Sequence, residues 1–389
     1  MEKTAKKVVF FTPFAFVIIK SEGERFMQVK YRKELDLIPV YVPGKPIDEV
    51  KRELGLDKVT KLASNENPFG FSPFVKEAVS KALEEANLYP DGNATLLKET
   101  IAQKFGISPD MILPTCGSDE MIDLIAKTFI EKGNEVVMAD ITFPRYSATS
   151  QMMGAVIKKI PMKNLAYDIK GFKNAINANT RVVWLCNPNN PTGTIFSEKE
   201  LIELLEAISP ETLVVYDEAY CEFASHPDFP KDSFKFLKKY KNLLLMRTLS
   251  KAYGLAGFRL GYTIGDPELI SIINKIRNPF NVTLLTQAAA IAAINDDEFL
   301  AKVVANNNES KKYIYEEFDE MGLEYAKTEA NHIIFNSNQN SNIVFNALLK
   351  KGVIIRPVGG FTPGTWLRVS LGTRSENREF IKALREVLG

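Results

Sequence analysis

Between about Leu62 and Phe280, short apolar runs alternate with longer amphipathic stretches that have helical periodicity. This alternation is typical of a doubly wound α/β domain, in which helices cover both faces of a largely parallel sheet. In such a sheet ligands bind beyond the carboxyl ends of the strands, so polar residues that follow strands are candidates for a functional site. Strands are predicted at 135–138, 181–186, 213–216 and 243–246, and helices at 121–130, 198–207 and 268–277.

The sequence after residue 280 predicts a second and smaller unit. Long helical stretches are followed by a few short strands, which is typical of an α+β domain, so we expect a large domain over 62–280 and a small one over 281–389. Residues 27–61 have no strand partners nearby in sequence, and we expect an arm that packs on the small domain or a partner subunit. The predicted elements are helices at 286–294, 299–321, 343–351 and 375–388 and strands at 332–335, 353–356 and 366–370.

Residues 1–26 differ in character from the rest of the chain. Three lysines precede an apolar run from Val8 to Ile19, which imitates the charged and apolar regions of a signal peptide. The run is short for a membrane span, and no small-x-small cleavage pattern follows it. The sequence at 21–25 can be encoded by a nearly all-purine stretch, as a ribosome-binding site would be. We expect that translation starts at Met27 and that the extension is not part of the fold; export is the alternative.

Composition excludes several classes of function. The chain has 389 residues, of which 45% are hydrophobic and 25% charged, as in globular proteins, and a net charge of +1 gives no nucleic-acid footprint. Three widely spaced cysteines predict a reduced, cytoplasmic protein, and two histidines make a histidine-rich metal site improbable. The glycine-rich nucleotide motifs and the serine-hydrolase GxSxG motif do not occur in the sequence.

A lysine after the apolar run 243–246 is the strongest sign of chemistry. Lys251 lies in a short polar turn, and Arg259 follows eight residues later. A lysine withdrawn from water can lose its proton near neutral pH and attack a carbonyl carbon, forming a Schiff base. Ser-Lys pairs also occur at 80–81 and 310–311, but those lie in polar helical stretches without a preceding strand.

Four further segments carry polar groups to the same predicted edge: 115–120, 143–146, 187–193 and 216–220. Each alone has an ordinary explanation, as a helix cap, a core aromatic or a turn. Together they provide an aromatic face, a carboxylate, an amide, a hydroxyl and the free N–H groups of a helix start, beside an amine. This set suits a planar cationic heterocycle with a phosphate, and we infer pyridoxal 5'-phosphate as the cofactor.

The order of these motifs resembles that of the fold-type I, aspartate-aminotransferase-like pyridoxal phosphate enzymes, over nearly all of 27–389. The motifs are Asn-Pro-Thr-Gly at 190–193, Asp217-x-x-Tyr220, Ser250-Lys251 and then Arg259. Within this superfamily the chain is most similar to the histidinol-phosphate aminotransferases. The stretches that carry this similarity are 41–46, 62–68, 89–91, 248–257 and 367–373.

The resemblance implies roles for individual residues around the cofactor. Lys251 would hold the cofactor aldehyde and move the substrate proton, Asp217 would keep the pyridine nitrogen protonated, and Phe143 would stack on the ring. Asn190 and Tyr220 would donate hydrogen bonds to the phenolic oxygen of the ring. The groups implied for the cofactor phosphate are the main-chain donors of Gly117, Ser118 and Asp119 and the side chains of Thr248, Ser250 and Arg259.

The resemblance also implies the substrates and a homodimer with shared active sites. Tyr89 would reach the cofactor phosphate of the neighbouring subunit. The amino group would move between L-histidinol phosphate and 2-oxoglutarate or glutamate, in histidine biosynthesis. Arg368 would bind the carboxylate or phosphate of the substrate, with Arg356 assisting, and Tyr41 and Asn65 would line the pocket.

The motifs leave other activities open. An aromatic amino-acid aminotransferase, for phenylalanine or tyrosine, is the nearest alternative, and one enzyme with both activities is compatible with the same residues. Threonine-phosphate decarboxylase shares the same skeleton and also binds a phosphorylated substrate. A non-catalytic binding protein on this scaffold is disfavoured because Lys251, Asp217 and Arg259 are all present.

Overall fold

The computed structural model describes residues 29–40 and 44–389. The helices are α1 Ile47–Leu54, α2 Pro73–Ala82, α3 Thr95–Phe105, α4 Gly117–Phe129, α5 Pro144–Met152, α6 Ile169–Ala175, α7 Glu198–Ala207, α8 Phe234–Leu237, α9 Pro267–Asn274, α10 Leu284–Ile294, α11 Asp297–Glu320, α12 Ser341–Lys350 and α13 Arg374–Leu388. The strands are β1 Thr60–Lys61, β2 Ile112–Cys116, β3 Glu135–Ala139, β4 Val156–Ile160, β5 Thr180–Cys186, β6 Leu213–Asp217, β7 Leu243–Thr248, β8 Leu260–Gly265, β9 Glu324–Tyr325, β10 His332–Asn336, β11 Val353–Ile354, β12 Arg356–Pro357 and β13 Trp366–Ser370.

A seven-stranded mixed sheet, in the order β2-β8-β7-β6-β5-β3-β4, forms the frame of the larger part of the chain. Strands β7, β6, β5, β3 and β4 are parallel, whereas β8 runs antiparallel to both β7 and β2. Its central strands are buried on both faces: Val183 and Val214 pack into one core, and Val182 and Val215 into another. Helices therefore cover both faces, and the predicted doubly wound α/β architecture is confirmed.

The predicted strands of this sheet agree with the structure to within two residues at each end. Three further strands belong to this sheet. A short strand before residues 115–120 was expected without bounds and is β2, whereas β4 and β8 were not predicted from the sequence. β4 lies at the sheet edge and has two lysines among its five residues, so it lacks the apolar run of a central strand. β8 begins Leu-Gly and ends in glycine, and glycine weakens a strand pattern.

A second, antiparallel sheet has the strand order β12-β13-β10-β9. Its core contains Ile333 and Phe335 from β10, packed against Phe318 of α11 and Phe380 of α13. The prediction of one strand over 353–356 is wrong. The chain changes partner at Ile355, because β11 pairs in parallel with β1 whereas β12 pairs with β13.

Helices α1 and α10 pack against different parts of the structure. Val50 of α1 packs with Leu349 of α12 and Ile354 of β11, so the described part of the predicted arm contacts the C-terminal part of the chain. Helix α10 packs on α2 and α3 in the core of the main sheet, through Ala289 and Ala293. The division into domains over 62–280 and 281–389 remains a prediction, and residues 1–26 lie outside the described part.

The register of the main sheet determines where a site can form. Cys116 at the end of β2 pairs with Leu260 at the start of β8, and Thr248 at the end of β7 pairs with Gly261. The start of β8 thus lies at the same edge of the sheet as the carboxyl ends of β2 and β7. Among the described residues, no helix combines the length and apolar character needed to cross a bilayer.

Candidate active site

The polar residues that follow the strands of the main sheet surround one open cleft of about 580 Å³. The described residues that line it are Ser118, Asp119, Phe143, Tyr146, Cys186, Asn190, Asp217, Ala219, Tyr220, Thr248, Ser250, Lys251 and Arg259. Most residues predicted to bind the cofactor are therefore brought together by the fold. Gly117 begins the helix beside the cleft, whereas Tyr89 does not line it in this chain.

Lys251 lies in the turn after β7, and its amine is largely withdrawn from water. Nζ donates a hydrogen bond to the carbonyl oxygen of Ser64 over 3.1 Å. Burial, followed by the positive charge of Arg368, lowers the pKa of Lys251 to about 8. Because a substantial fraction of this amine is neutral near pH 8, it meets the first requirement of a nucleophilic lysine.

Asp217 ends β6 with its carboxylate in the buried wall of the cleft. Oδ1 accepts a hydrogen bond of 3.0 Å from the N–H of Ala219, and Oδ2 accepts one from the hydroxyl of Tyr146. Burial raises the pKa of Asp217 to about 6, although both hydrogen bonds oppose that rise. The carboxylate is mostly charged at neutral pH, and it would stabilise a cation such as a protonated ring nitrogen.

The start of α4 forms an anion-binding corner with Arg259. Gly117 has a φ of 72°, a backbone conformation that favours glycine, and a β-carbon there would lie 2.7 Å from Nη2 of Arg259 in its present position. The hydroxyl of Ser118 is buried and has no hydrogen-bond partner among the described residues. The first N–H groups of a helix also lack intrahelical partners, so this corner offers several donors to one anion.

The turn between β7 and β8 is fixed by the side chain of Thr248. Its hydroxyl donates to the carbonyl oxygen of Leu260 over 3.3 Å and accepts a 3.1 Å hydrogen bond from the N–H of Ser250. Arg259 lies at the other end of this turn, and its Nη2 is 3.5 Å from Oδ2 of Asp119. Thr248 therefore shapes the turn that carries Ser250 and Lys251, and its predicted contact with a phosphate remains a prediction.

Aromatic rings form one side of the cleft. Phe143 immediately precedes α5 and meets Tyr146 edge to face, with ring centroids 5.6 Å apart. Tyr146 stacks on Trp184 at 4.8 Å, nearly parallel, which holds its hydroxyl towards Asp217. The cleft thus combines an aromatic side with a buried carboxylate, as a flat cationic ring requires.

Asn190 and Tyr220 present polar groups from the ends of β5 and β6. Oδ1 of Asn190 accepts a 2.8 Å hydrogen bond from Nη1 of Arg368, so the NH₂ group of this amide remains to serve the cleft. Nη2 of Arg368 donates to the carbonyl oxygen of Ala63 over 2.7 Å. The guanidinium is therefore held beside the cleft by the side chain of Asn190 and the backbone of Ala63, while Tyr220 contacts Asn65 through its hydroxyl.

The other residues predicted to bind substrate do not share the position of Arg368 beside the cleft. Arg356 lies directly opposite Arg368 in the β12–β13 pair and is partly exposed. Arg145, to which no role was assigned, forms ion pairs with Asp123 at 3.0 Å and Asp119 at 3.5 Å. Tyr41 lies outside the described residues.

Asn65 does not line the cleft, and Tyr89 faces solvent. The side chain of Asn65 is buried and hydrogen-bonded behind Tyr220, so a direct contact with substrate remains a prediction. Tyr89 is 82% exposed and stacks on Phe280 with ring centroids 4.6 Å apart. Both residues belong to the periphery of the site in the single chain.

Sequence reasoning missed several residues that build the cleft. Tyr146 lies three residues after Phe143, and this helical spacing could have placed it on the same side. Cys186 and Ala219 flank motifs that were recognised, whereas the Ser64 carbonyl and His332 carried no sequence signal. Within the described ranges no group of three or more His, Cys, Asp or Glu residues could hold a metal ion.

Comparison with known proteins gives a family for this arrangement. The family model described as aminotransferase class I and II matches residues 57–384. A histidinol-phosphate aminotransferase from Caldicellulosiruptor saccharolyticus is 46% identical over 358 residues, which are 92% of this chain and 100% of that protein. One from Moorella thermoacetica is 45% identical, over 92% of this chain and 93% of that protein.

A solved structure shows the same fold. The histidinol-phosphate aminotransferase from Sinorhizobium meliloti, in complex with pyridoxal-5'-phosphate, superposes with a TM-score of 0.86 at 28% sequence identity. The alignment covers 93% of this chain and 98% of that structure. The likeness therefore includes both the main sheet and the smaller antiparallel sheet.

Proposed function

The chain belongs to the class I and II aminotransferases, and we propose that it transfers an amino group between L-histidinol phosphate and 2-oxoglutarate or glutamate, with pyridoxal 5'-phosphate as cofactor. The relatives that carry the name histidinol-phosphate aminotransferase match the chain over most of its length, which supports this pair of substrates. The reaction belongs to histidine biosynthesis.

The chemistry of the cleft fits this cofactor. The unpartnered hydroxyl of Ser118 and the guanidinium of Arg259 suit its phosphate, and the carboxylate of Asp217 suits its protonated ring nitrogen. Phe143 provides an aromatic side for the ring. When bound, the cofactor supplies an aldehyde that accepts the amino group and a ring that withdraws electrons from the substrate α-carbon.

Lys251 is proposed to bind the aldehyde and then to move the proton. Because its pKa is near 8, Nζ can act as a nucleophile and, once released by the substrate amine, as a base at the α-carbon. Asp217 keeps a proton on the ring nitrogen through its adjacent negative charge. Asn190 and Tyr220 both line the cleft, and their amide and hydroxyl groups would orient the phenolic oxygen.

Arg368 is proposed to bind the anionic end of either substrate. Histidinol phosphate carries a phosphate and glutamate carries carboxylates, and a guanidinium binds both anions through paired hydrogen bonds. The hydrogen bonds from Arg368 to Asn190 and Ala63 hold it beside Lys251. Arg356, on the adjacent strand, adds a second positive charge on the same side.

A homodimer with shared sites is part of the proposal. Tyr89 and Phe280 form an exposed aromatic pair, and a concavity of about 700 Å³ that includes Gly92 and Arg277 adjoins it. Exposed aromatic groups beside a concavity are typical of protein interfaces, so we propose that a second copy covers them and receives Tyr89. The reduced cysteines support a cytoplasmic enzyme.

The observation that carries the proposal is the convergence of Lys251, Asp217 and Arg259 on one cleft from three different strands. The test is a set of half-reactions of the cofactor-loaded protein, followed through the visible absorption of the cofactor. Histidinol phosphate should bleach this band within seconds, and 2-oxoglutarate should restore it. Phenylalanine and threonine phosphate are the comparison substrates, and bleaching by phenylalanine alone would reject the assignment of substrate while leaving the chemistry intact.

A further inference from the structure

Asn65 is a buried residue that connects the second sheet with the catalytic cleft. Its φ of 55° lies in the left-handed region, which asparagine tolerates better than most residues. Its N–H donates to Oγ of Ser370 over 2.8 Å, and its carbonyl oxygen accepts a 3.0 Å hydrogen bond from Nδ2 of Asn331. The backbone of Asn65 is therefore fixed before its side chain is considered.

The side-chain amide of Asn65 has three partners. Oδ1 lies 3.0 Å from Oγ of Ser370, while Nδ2 lies 3.0 Å from the Tyr220 hydroxyl and 3.0 Å from Nδ1 of His332. His332 and Ser370 are directly opposite each other in the β10–β13 pair, so residues of both strands form hydrogen bonds with the amide. The hydrogen-bonding atoms of this group are all buried.

The position of the imidazole proton determines the direction of these hydrogen bonds. Burial lowers the pKa of His332 well below its usual value, and the charges of Arg368 and Lys251 act in the same direction, so the ring is neutral and carries one proton. The Pro191 carbonyl favours protonation of the ring, but Nε2 is buried and has no hydrogen-bond partner among the described residues. Oγ of Ser370 accepts the N–H of Asn65 and donates to Oδ1, so the amide turns its NH₂ group towards His332. Nδ1 of His332 is then the acceptor, and the single proton of the ring is on Nε2.

The consequence reaches the hydroxyl of Tyr220. If Nδ1 of His332 accepts, then Asn65 presents its NH₂ group, and its second N–H is donated to the oxygen of Tyr220. The hydrogen of the Tyr220 hydroxyl is then not used by Asn65 and is available to the cleft that Tyr220 lines. A rotated amide would reverse each of these directions and would turn the hydroxyl hydrogen towards Asn65.

We propose that His332 is a positioning residue for the reaction: through Asn65 it makes Tyr220 a hydrogen-bond donor to the cleft. The inference rests on the proposed function, because the group that receives this hydrogen bond is the phenolic oxygen of the cofactor. In this proposal Tyr220 contacts the substrate and cofactor, and Asn65 and His332 behind it orient its hydroxyl.

The first test determines the position of the imidazole proton of His332 directly, in the cofactor-free protein. His226 is the only other histidine in the chain, so H226Q leaves a single imidazole whose two nitrogens are assigned by ¹⁵N NMR. The inference predicts a proton on Nε2 of His332 and a neutral ring at every pH above 6 at which the protein is folded. A proton on Nδ1 overturns it, whether or not the protein binds pyridoxal phosphate.

The second test uses the pH midpoint of the visible band of the cofactor-loaded protein. A hydrogen bond donated to the phenolic oxygen stabilises its negative charge, so losing the donor should move the midpoint to higher pH, by about one unit in Y220F. H332F should move it in the same direction by roughly half as much. H332N retains an oxygen acceptor near the position of Nδ1 and should keep the midpoint close to that of the unsubstituted protein.

These outcomes separate the inference from the function on which it rests. Failure of the unsubstituted protein to bind the cofactor rejects the proposed function, and the NMR result then decides the direction of the hydrogen bonds. A midpoint that moves in Y220F but not in H332F overturns the role of His332 while the function stands. Thermal unfolding of both His332 variants tests whether each is folded. If H332F does not fold, H332Q takes its place as the variant that lacks an acceptor near Nδ1.

Discussion

The cleft has two walls that are built in different ways. The sheet wall consists of Ser118, Phe143, Asp217, Lys251 and Arg259, each placed at or near the end of a strand of the main sheet. The opposite wall is a layer of Asn65, His332, Arg368 and Ser370, which do not line the cleft themselves but support Tyr220 and Asn190 of its lining. Asn65 in this layer bonds to Ser370, which is 305 positions away in the chain. Local sequence pattern specifies the first wall, whereas only the tertiary fold assembles the second.

The two walls also differ in their chemical properties. In the sheet wall, burial moves two pKa values towards neutrality from opposite directions, to about 6 for Asp217 and about 8 for Lys251. In the opposite wall, hydrogen bonds hold neutral and cationic groups in fixed directions. We therefore expect substitutions in the sheet wall to impair the chemical step, and those in the opposite wall to impair substrate binding and orientation.

The largest expected effect is that of D217N in the sheet wall. Without the negative charge the ring nitrogen loses its proton and the substrate carbanion loses its electron sink, so kcat should fall by about three powers of ten or more. Single-turnover kinetics with histidinol phosphate measure this loss. Near-normal turnover would remove Asp217 from its role.

The same substitution should stabilise the cofactor-free protein. Because burial raises the pKa of Asp217 above its ordinary value, the charged form destabilises the fold; this penalty is complete above pH 6 and disappears as the pH falls through 6 towards 3.8. D217N should therefore raise the free energy of unfolding by about 1–3 kcal/mol at pH 8, and by less at pH 4. Urea denaturation at both pH values measures the difference, and an equal gain at both would refute the electrostatic explanation.

Arg368 gives the largest expected effect in the opposite wall. R368K retains the charge but loses the paired donors, and we expect kcat/KM for histidinol phosphate to fall about 100-fold. R356K is the matched control on the neighbouring strand, for which we expect a loss of about tenfold or less. Equal losses in the two variants would show that proximity to Asn190 and Ala63 does not distinguish the arginines.

Substitution of Ser118 tests whether the cofactor phosphate binds at the corner formed by the start of α4 and Arg259. Removing its hydroxyl in S118A should weaken cofactor binding about tenfold, since a hydrogen bond to a charged group is lost. Ser150 is also buried without a partner for its hydroxyl among the described residues, but it does not line the cleft, so S150A is the control. Fluorescence titration with pyridoxal phosphate compares the two, and equal affinities would place the phosphate elsewhere.

The smallest effect concerns the rate at which the cofactor recombines with the cofactor-free protein. Only neutral Lys251 can react, and its pKa of about 8 means that the neutral fraction rises about tenfold per pH unit below 8 and then levels off. Stopped-flow absorbance between pH 6 and pH 9 should show this profile. A rate that is flat from pH 6 to pH 8 would mean that the amine is not rate-determining.

The contrast between the walls explains what could be predicted from the sequence. Asp217 ends an apolar strand, and Lys251 and Asn190 follow such strands by four residues or fewer. The register of parallel strands brings these residues to one edge. Thus the α/β architecture and the cofactor site followed from local pattern and from resemblance. Strand β8 was missed because its glycines weaken the pattern, although it places Arg259 at the same edge.

The opposite wall could not be derived in this way. Nothing in the sequence near Asn65 indicates that its amide meets Tyr220 and His332, because these contacts depend on how β10 and β13 pack behind the cleft. The division of 353–356 between two sheets has the same origin, since two strands of two residues each, β11 and β12, pair with different partners. Long-range pairing of this kind leaves no periodic signal in a single sequence.

The most direct test of the account is borohydride reduction of the cofactor-loaded protein, followed by peptide mapping. The account predicts that the pyridoxyl group is found on Lys251, and that K251R is not labelled. Lys311 is an internal control, because it is also buried with a lowered pKa but lies outside the cleft. A label on Lys311 or on any other residue, or no label at all, would contradict the central claim.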